Sequence, residues 1–381
     1  MIYAYLLLYA LILLFGAHKL GIGADEAKII FTNPLYHILY RIYPNELFVR
    51  ISNILLSLVN VYLYYLFSKI WLKEKDALLS TVIFSLLPAI IASAVVINKA
   101  PLVLFLTLIF IYLYQKSRIY GYVFALLLLF VDHSFAILFL GMSFYALYKK
   151  SYEAFLFLGL FIASVTLYGF DVGGKPKNYF FDTFAIFAAI FSPLLFLYYF
   201  YTIYRILVKE KKDIVFFVSA TAFLFSLFLS FRQRISLIDF APFAVVGVVL
   251  MVRVYLHSLR VRLRKFQRRM RFYFWIVMGA LLLGDSALIF NDLLFSFVPA
   301  RKHFAYHHYE AKVLARELKK RGIPCVDLVG KLGWQLRFYG IKECKRYRLL
   351  PKPAPHALSL PIIIEGHHAG DYYVTKSNSS S

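Results

Sequence analysis

Residues 21–50, GIGADEAKIIFTNPLYHILYRIYPNELFVR, form the only long polar interruption near the start of a chain that otherwise reads as lipid-facing. One apolar run, 2–17, precedes this stretch and another, 47–71, follows it. Each approaches the roughly twenty residues that a helix needs to cross a bilayer. The stretch therefore connects two spans at a membrane surface. Within it Asp25 and Glu26 stand side by side just beyond the first apolar run. A carboxylate pair in that position can act as a general base toward a hydroxyl, bind a cation, or form part of a solvated loop.

The rest of the chain follows the same pattern. Hydrophobic residues make up 61% of the 381, more than a soluble core requires, so the chain reads as a polytopic membrane protein. About eleven apolar segments can be traced: 2–17, 47–71, 77–97, 101–114, 120–131, 135–148, 152–169, 184–207, 214–230, 235–253 and 272–295. Pro88 predicts a kink in the third, and Pro242 lies inside the tenth. The first lacks a basic leading segment and a small-residue cleavage site, so it reads as a retained span. These features predict an all-α membrane part over 1–298, followed by a small external α/β domain over 299–381.

Basic residues mark alternate connections. Lys73 and Lys75, Lys116 and Arg118, Lys149 and Lys150, Lys209 with Lys211 and Lys212, and the run 260–271 all fall on one side. The positive-inside rule makes that side cytoplasmic, with the N-terminus, and makes the C-terminus external. The opposite connections hold Asp25 and Glu26, Asn98 and Lys99, Asp132 and His133, and the segments 171–182 and 231–235. A net charge of +23 raises the question of nucleic acid. Its densest run, RVRLRKFQRRMR, lies between two spans with no folded domain around it, which favours contact with anionic lipid head groups over nucleic acid.

The tail changes character. Ala311, Leu314, Ala315 and Leu318 predict a helix over 308–321, stopped by Gly322 and Pro324. Strands are expected at 325–329, 346–350 and 361–365, a short helix at 332–339, and a disordered end over 376–381. Cys325 and Cys344 are the only cysteines. An external compartment permits a disulfide between them, and a plain core role is the alternative. No glycine-rich phosphate loop follows a strand, and no cytoplasmic connection is long enough for a nucleotide domain, which disfavours direct use of a nucleotide-linked substrate.

The order Asp25-Glu26, Asn33-Pro34-Leu35-Tyr36 and Asn45-Glu46-Leu47-Phe48-Val49-Arg50 resembles the first external loop of GT-C glycosyltransferases of the protein mannosyltransferase and aminoarabinose transferase type. The match runs through Asp25, Glu26, Pro34, Leu35, Glu46, Leu47 and Arg50. Asn33 stands where the family usually has a turn His or Pro. The resemblance implies an inner (plasma) membrane enzyme that takes a sugar from a polyprenyl phosphate held between helices. It would transfer that sugar, usually with inversion, to a glycan, lipid or protein acceptor outside.

Such chemistry needs a base for the acceptor and cations for the departing phosphate. Asp25 is the expected base and Glu26 its neighbour, since two adjacent carboxylates repel and one then holds its proton more tightly. Arg232 and Arg234 are the expected phosphate ligands, because RISLIDFAPFAVVG at 234–247 resembles the opening of a late family helix, with Ile235 where Tyr is usual. Interfacial snorkelling is their alternative role. Lys99 stands where many members carry an acid or an Arg; it is expected to assist the phosphate, and a family-style metal is not supported. Asp132 and His133 either touch the donor or cap two short helices. His37 and Arg41, one turn apart, line a substrate entrance or form an interfacial helix face. His303, His307 and His308 lack the spacing of a zinc site, as do His367 and His368, so no metal or other cofactor is assigned. A transporter or flippase of a lipid-linked glycan, which would place charges mid-span, is the rival from another class, and an inactive scaffold of the same fold is a third reading.

Overall fold

The computed structural model describes residues 2–169, 178–296, 298–299, 303–328, 330–353, 357–364 and 366–376. Most of the expected 171–182 connection, the last residue of the strands expected at 325–329 and 361–365, and residues 377–381 of the terminal segment lie outside them.

The helices are, in order, α1 (Ile2–Lys19), α2 (Ala24–Thr32), α3 (Pro34–Ile42), α4 (Glu46–Ser68), α5 (Glu74–Ser85), α6 (Pro88–Val95), α7 (Ala100–Lys116), α8 (Arg118–Leu129) and α9 (Phe135–Tyr148). They continue as α10 (Glu153–Tyr168), α11 (Phe180–Phe191), α12 (Pro193–Lys209), α13 (Ile214–Ser230), α14 (Leu237–Val245), α15 (Val248–Val261) and α16 (Arg264–Ile289). Among the described residues, 4 helical segments are long and apolar enough to cross a membrane, or 6 if each of two bent pairs is one span. Five shorter apolar helices of 10–17 residues lie between them. The chain is a multi-pass membrane protein, and a count of eleven requires each short helix to cross as well.

Both bends have a local cause. The kink expected at Pro88 is a 61° break between α5 and α6, where a ring replaces a backbone donor. The single straight segment expected over 184–207 is instead two helices bent by 105°, α11 and α12. Ser192 adopts φ 69°, and Pro193 opens α12. Helical backbone is disfavoured before a proline, so the turn is written into the Ser-Pro dipeptide.

The chain divides into two compact units. The first comprises Met1–Leu8, Leu55–Ala94 and Lys99–Asp285. Its core is aromatic: Tyr64 stacks on Phe84 at 3.8 Å, and Tyr199 stacks on Phe191 at 4.5 Å. Buried hydroxyls are satisfied locally, as where Tyr199 meets the Ser219 hydroxyl at 2.7 Å. Gly141 lets α9 approach α13 closely, since a Cβ there would lie 3.1 Å from the Val218 Cα.

The second unit comprises Tyr9–Ile54, Val95–Asn98 and Ser286–Ser381. Here the loop helices α2 and α3 meet the tail, which adds α17 (Tyr306–Lys320), β1 (Cys325–Val326), α18 (Gly330–Phe338), β2 (Lys342–Glu343), β3 (Tyr347–Leu350), β4 (Leu358–Ile364) and β5 (His367–Lys376). Ile22, Ala27, Ile30, Val49, Ile97 and Phe338 form one buried cluster. β1 pairs with β2 in parallel, and β5 lies between β3 and β4, antiparallel to both. A disulfide joins Cys325 to Cys344, with Cα atoms 5.5 Å apart.

Candidate functional site

Asp25 and Glu26 occupy the first turn of α2, where carboxylates complement the helix dipole. Consecutive helical side chains diverge by about 100°, and their surroundings differ accordingly. Asp25 is exposed and, among the described residues, makes no side-chain hydrogen bond or ion pair. Glu26 is buried, and both its oxygens are fully engaged. Oε1 accepts from Arg50 Nε at 3.1 Å and from the Ile97 amide at 2.8 Å. Oε2 accepts from Arg50 Nη2 at 2.7 Å and from the Gly23 amide, the cap of α2, at 2.7 Å.

Arg50 is itself fully buried and spends its remaining N–H groups on carbonyls. Nη1 donates to Ala17 at 3.1 Å and to Leu20 at 2.5 Å, and Nη2 donates to Gly21 at 2.8 Å. All five guanidinium donors are thereby used. Burial alone would raise the Glu26 pKa; Arg50 chiefly, with His308, brings it down to about 2. The expectation that Asp25 and Glu26 form a repelling, proton-holding pair is corrected by this arrangement: Glu26 is ionised and held, and Asp25 alone is open to solvent.

The tail secures the same turn. Gly21 packs directly on α17, because a Cβ there would lie 2.1 Å from the His308 carbonyl oxygen. Gln335 donates to the carbonyls of Ile22 and His307, each at 2.7 Å. The Tyr339 hydroxyl accepts from the Ile22 amide at 3.0 Å and donates to Glu46 at 2.6 Å. Lys312 bonds the other Glu46 oxygen at 2.7 Å. On α3, His37 is half-buried beside the Phe31 ring at 6.0 Å, and Arg41 is exposed. Leu35, Ile38 and Ile42 expose an apolar face on that helix, the pattern of an interfacial element.

In the first unit, Lys99, Asp132 and His133 converge with Asp239, a residue that sequence reasoning did not single out. Lys99 Nζ lies 2.9 and 3.0 Å from the two Asp132 oxygens and 2.8 Å from Asp239 Oδ1. His133 Nε2 lies 3.4 Å from that same Asp239 oxygen. Asp132 also accepts from the Ser134 amide at 2.9 Å and its hydroxyl at 2.6 Å, which fixes the turn into α9. Burial alone would raise the Asp132 pKa, but Ser134 and Lys99 more than offset it and lower it. The Lys99 pKa is raised: burial opposes this, and the Asp239 and Asp132 carboxylates outweigh burial. That of His133 is raised by its bond to Asp239.

His133, Asp239 and Arg234 line one cleft of about 210 Å³, with Phe161, Val165, Phe225 and Leu229 among its walls. Arg232 is exposed and does not line it. Asp132, His133 and Asp239 are the one set among the described residues whose ligand atoms could share a metal, all within 4.8 Å. The Lys99 ammonium already bridges the two carboxylates. His303, His307 and His308 do not converge: His303 stacks on Phe295 at 4.0 Å, His307 pairs with Glu310 at 3.1 Å, and His308 lies 3.5 Å from Glu26. The signal for Asp239 was a lone acid in the apolar run LIDFAPF, and an acid within a membrane span is functional by default.

Neither a family model nor a curated protein matches the sequence. The crystal structure of ArnT from Cupriavidus metallidurans in the apo state superimposes with a TM-score of 0.56 over 98% of this chain and 97% of that one, at 9% identity. The fold is GT-C-like. At that identity the GT-C-like likeness speaks for the fold alone, so the roles of individual residues rest on the geometry above.

Proposed function

We propose that this protein is an integral-membrane glycosyltransferase that moves a sugar from a polyprenyl-phosphate donor to a glycan, lipid or protein acceptor at the outer face of an inner (plasma) membrane. The observation that carries the reading is the cleft in which Arg234 and His133 face a wall of Phe161, Val165, Phe225 and Leu229. A phosphate attached to a prenyl chain has both characters at once. The GT-C-like fold over nearly the whole chain makes sugar transfer the preferred chemistry for such a lipid.

In this reading the acceptor hydroxyl loses its proton to Asp25 as its oxygen attacks the anomeric carbon. The bond from that carbon to the phosphate oxygen breaks, and its electron pair leaves on the polyprenyl phosphate. Arg234 and the His133 imidazolium stabilise the charge that grows there, more in the transition state than in the bound donor. Lys99, Asp132 and Asp239 hold His133 in place and balance its charge. Glu26 and Arg50 hold the turn that presents Asp25.

The test is to supply purified protein in liposomes with synthetic polyprenyl-phosphate sugars and an acceptor extract, following both lipids by mass spectrometry. Release of free polyprenyl phosphate together with a glycosylated acceptor is expected. Movement of intact donor between leaflets without cleavage would replace this reading with the flippase.

A further inference from the structure

A second basic pocket lies far along the same span from the donor cleft. Asp239 stands at the start of the segment Ile238–Val261, and Arg253 and His257 lie in its second half. Fourteen residues at 1.5 Å per residue place Arg253 about 20 Å from Asp239 along the helix. The pocket, of about 660 Å³, is formed by the end of α12, the residues just after it and the middle of α15, and is lined by Arg205, Lys209, Lys211, Arg253, His257 and Glu210. Four permanent cations thus face one carboxylate of the lining. Arg205 is held by Glu210 at 3.0 Å and the Ser258 hydroxyl at 2.6 Å, and Arg253 by Asp213 at 2.6 Å. Lys209 and Lys211 are exposed and, among the described residues, have no side-chain hydrogen bond or ion pair.

An apolar cavity of about 240 Å³ adjoins it on the same two helices, lined by Leu195, Tyr198, Met251, Tyr255, Phe274 and Met278 among others. Tyr198 lines the apolar cavity and Tyr201 the basic pocket, and their rings meet at 5.8 Å. The two spaces are therefore neighbours along α12, one for hydrocarbon and one for negative charge. α16 adds Phe274 and Met278 to the apolar wall and opens with Arg264, Lys265, Arg268, Arg269 and Arg271.

We propose that this paired site binds one anionic phospholipid, its phosphate between Lys209, Lys211, Arg205 and Arg253 and an acyl chain in the cavity beneath Tyr198. The charge of the lining selects an anionic head group, and the apolar cavity beside it selects a lipid over a soluble phosphate. Basic pockets between spans on the side that carries the basic loops are the recognised setting for such head groups. The site does not depend on the transferase reading, since none of its residues belongs to the donor cleft.

The experiment uses the full chain in vesicles of phosphatidylcholine mixed with phosphatidylglycerol, with native mass spectrometry counting the lipids that remain bound. The parent should retain phosphatidylglycerol selectively. The double variant Lys209→Gln/Lys211→Gln, which touches no partnered side chain, should lose that selectivity by about ten- to thirty-fold with an unchanged melting temperature. Lys149→Gln/Lys150→Gln, at another basic connection, should keep it. Equal retention of the two lipids by the parent, an equal fall in both double variants, or displacement of the lipid by inorganic phosphate at matched concentration would each overturn the proposal.

Discussion

The Glu26 carboxylate and the Arg50 guanidinium meet side-on in a fully buried pair, Nε to Oε1 at 3.1 Å and Nη2 to Oε2 at 2.7 Å. Twenty-four residues separate them in sequence, and together they join the first turn of α2 to the opening of α4. The remaining Arg50 donors reach the carbonyls that lead out of α1. One ion pair thus sets where the chain leaves the first span, where it enters the next, and where Asp25 is displayed.

Breaking that pair should unfold the turn. Arg50→Met leaves a buried carboxylate with one charge partner fewer, a loss typically of about 3–5 kcal/mol. Arg50→Lys cannot restore the fork or the three carbonyl contacts. Thermal melting of the detergent-solubilised protein should fall steeply in both variants, and an unchanged melting curve would show that the pair is dispensable.

The same pair gives the protein an acid limit. The folded-state pKa of Glu26 is depressed from 4.5 to about 2, so its contribution is complete above 4.5 and disappears as the pH falls through about 2. The full contribution is on the order of 3 kcal/mol. A pH series of melting temperatures should drop across that window in the parent and flatten in Glu26→Gln, which is less stable throughout. A Glu26→Gln profile parallel to the parent's would place the acid limit on other carboxylates.

Asp25 and Glu26 should separate cleanly on mutation. Asp25 is exposed and has no ion pair among the described residues, so Asp25→Asn should insert and melt as the parent does. Removing a general base typically costs about a hundred- to ten-thousand-fold in rate. The loss should appear in kcat with donor binding little changed. Full transfer activity in Asp25→Asn would remove the base assignment.

The first loop shows how far sequence carries this protein. Asp25, Glu26 and Arg50 were legible as a motif, and the apolar runs were legible by length. What sequence spacing could not show is that helical geometry points Asp25 and Glu26 apart and that Glu26 reaches an arginine on another helix. Asp239 was hidden for a similar reason: its partners Lys99 and His133 come from two other connections, and nothing local marks a lone acid before Pro242 as their hub. In the tail, β5 went unread because Gly366 and Gly370 punctuate it like a loop, although β5 is the central strand of its sheet. The bend at Ser192 was readable from Ser-Pro, yet the continuous hydrophobicity on both sides suggested one straight span.

The two arginines expected at the donor phosphate should now differ. Arg234 lines the cleft with His133, and Arg232 does not. A hydrogen bond to a charged group is typically worth about 1.5–3 kcal/mol, so Arg234→Ala should weaken donor engagement by about ten- to a hundred-fold. Arg234→Lys should recover part of that loss. Arg232→Ala should change it by no more than about twofold, as expected for a solvated surface charge. Equal effects of the two alanine substitutions on donor KM would remove the cleft from the argument.

The pH dependence of donor engagement should follow His133 and be set by Asp239. The pKa of His133 is raised from 6.5, first by its bond to Asp239, while burial and the Lys99 ammonium pull it down and Asp132 supports it. A raised pKa means that the imidazolium contributes fully below 6.5 and is lost as the pH rises through the folded-state value. The kcat/KM profile should therefore fall on its alkaline side as His133 loses its proton. Asp239→Asn removes the largest supporting interaction, so the fall should begin at lower pH, and Lys99, left with Asp132 alone, should keep the turn folded. His133→Gln should abolish this limb while retaining a neutral donor, which separates charge from shape. A purely structural Asp239 would lower activity equally at every pH; an alkaline limb that stays at the parent's position in Asp239→Asn would therefore assign Asp239 to structure and take His133 out of the donor site.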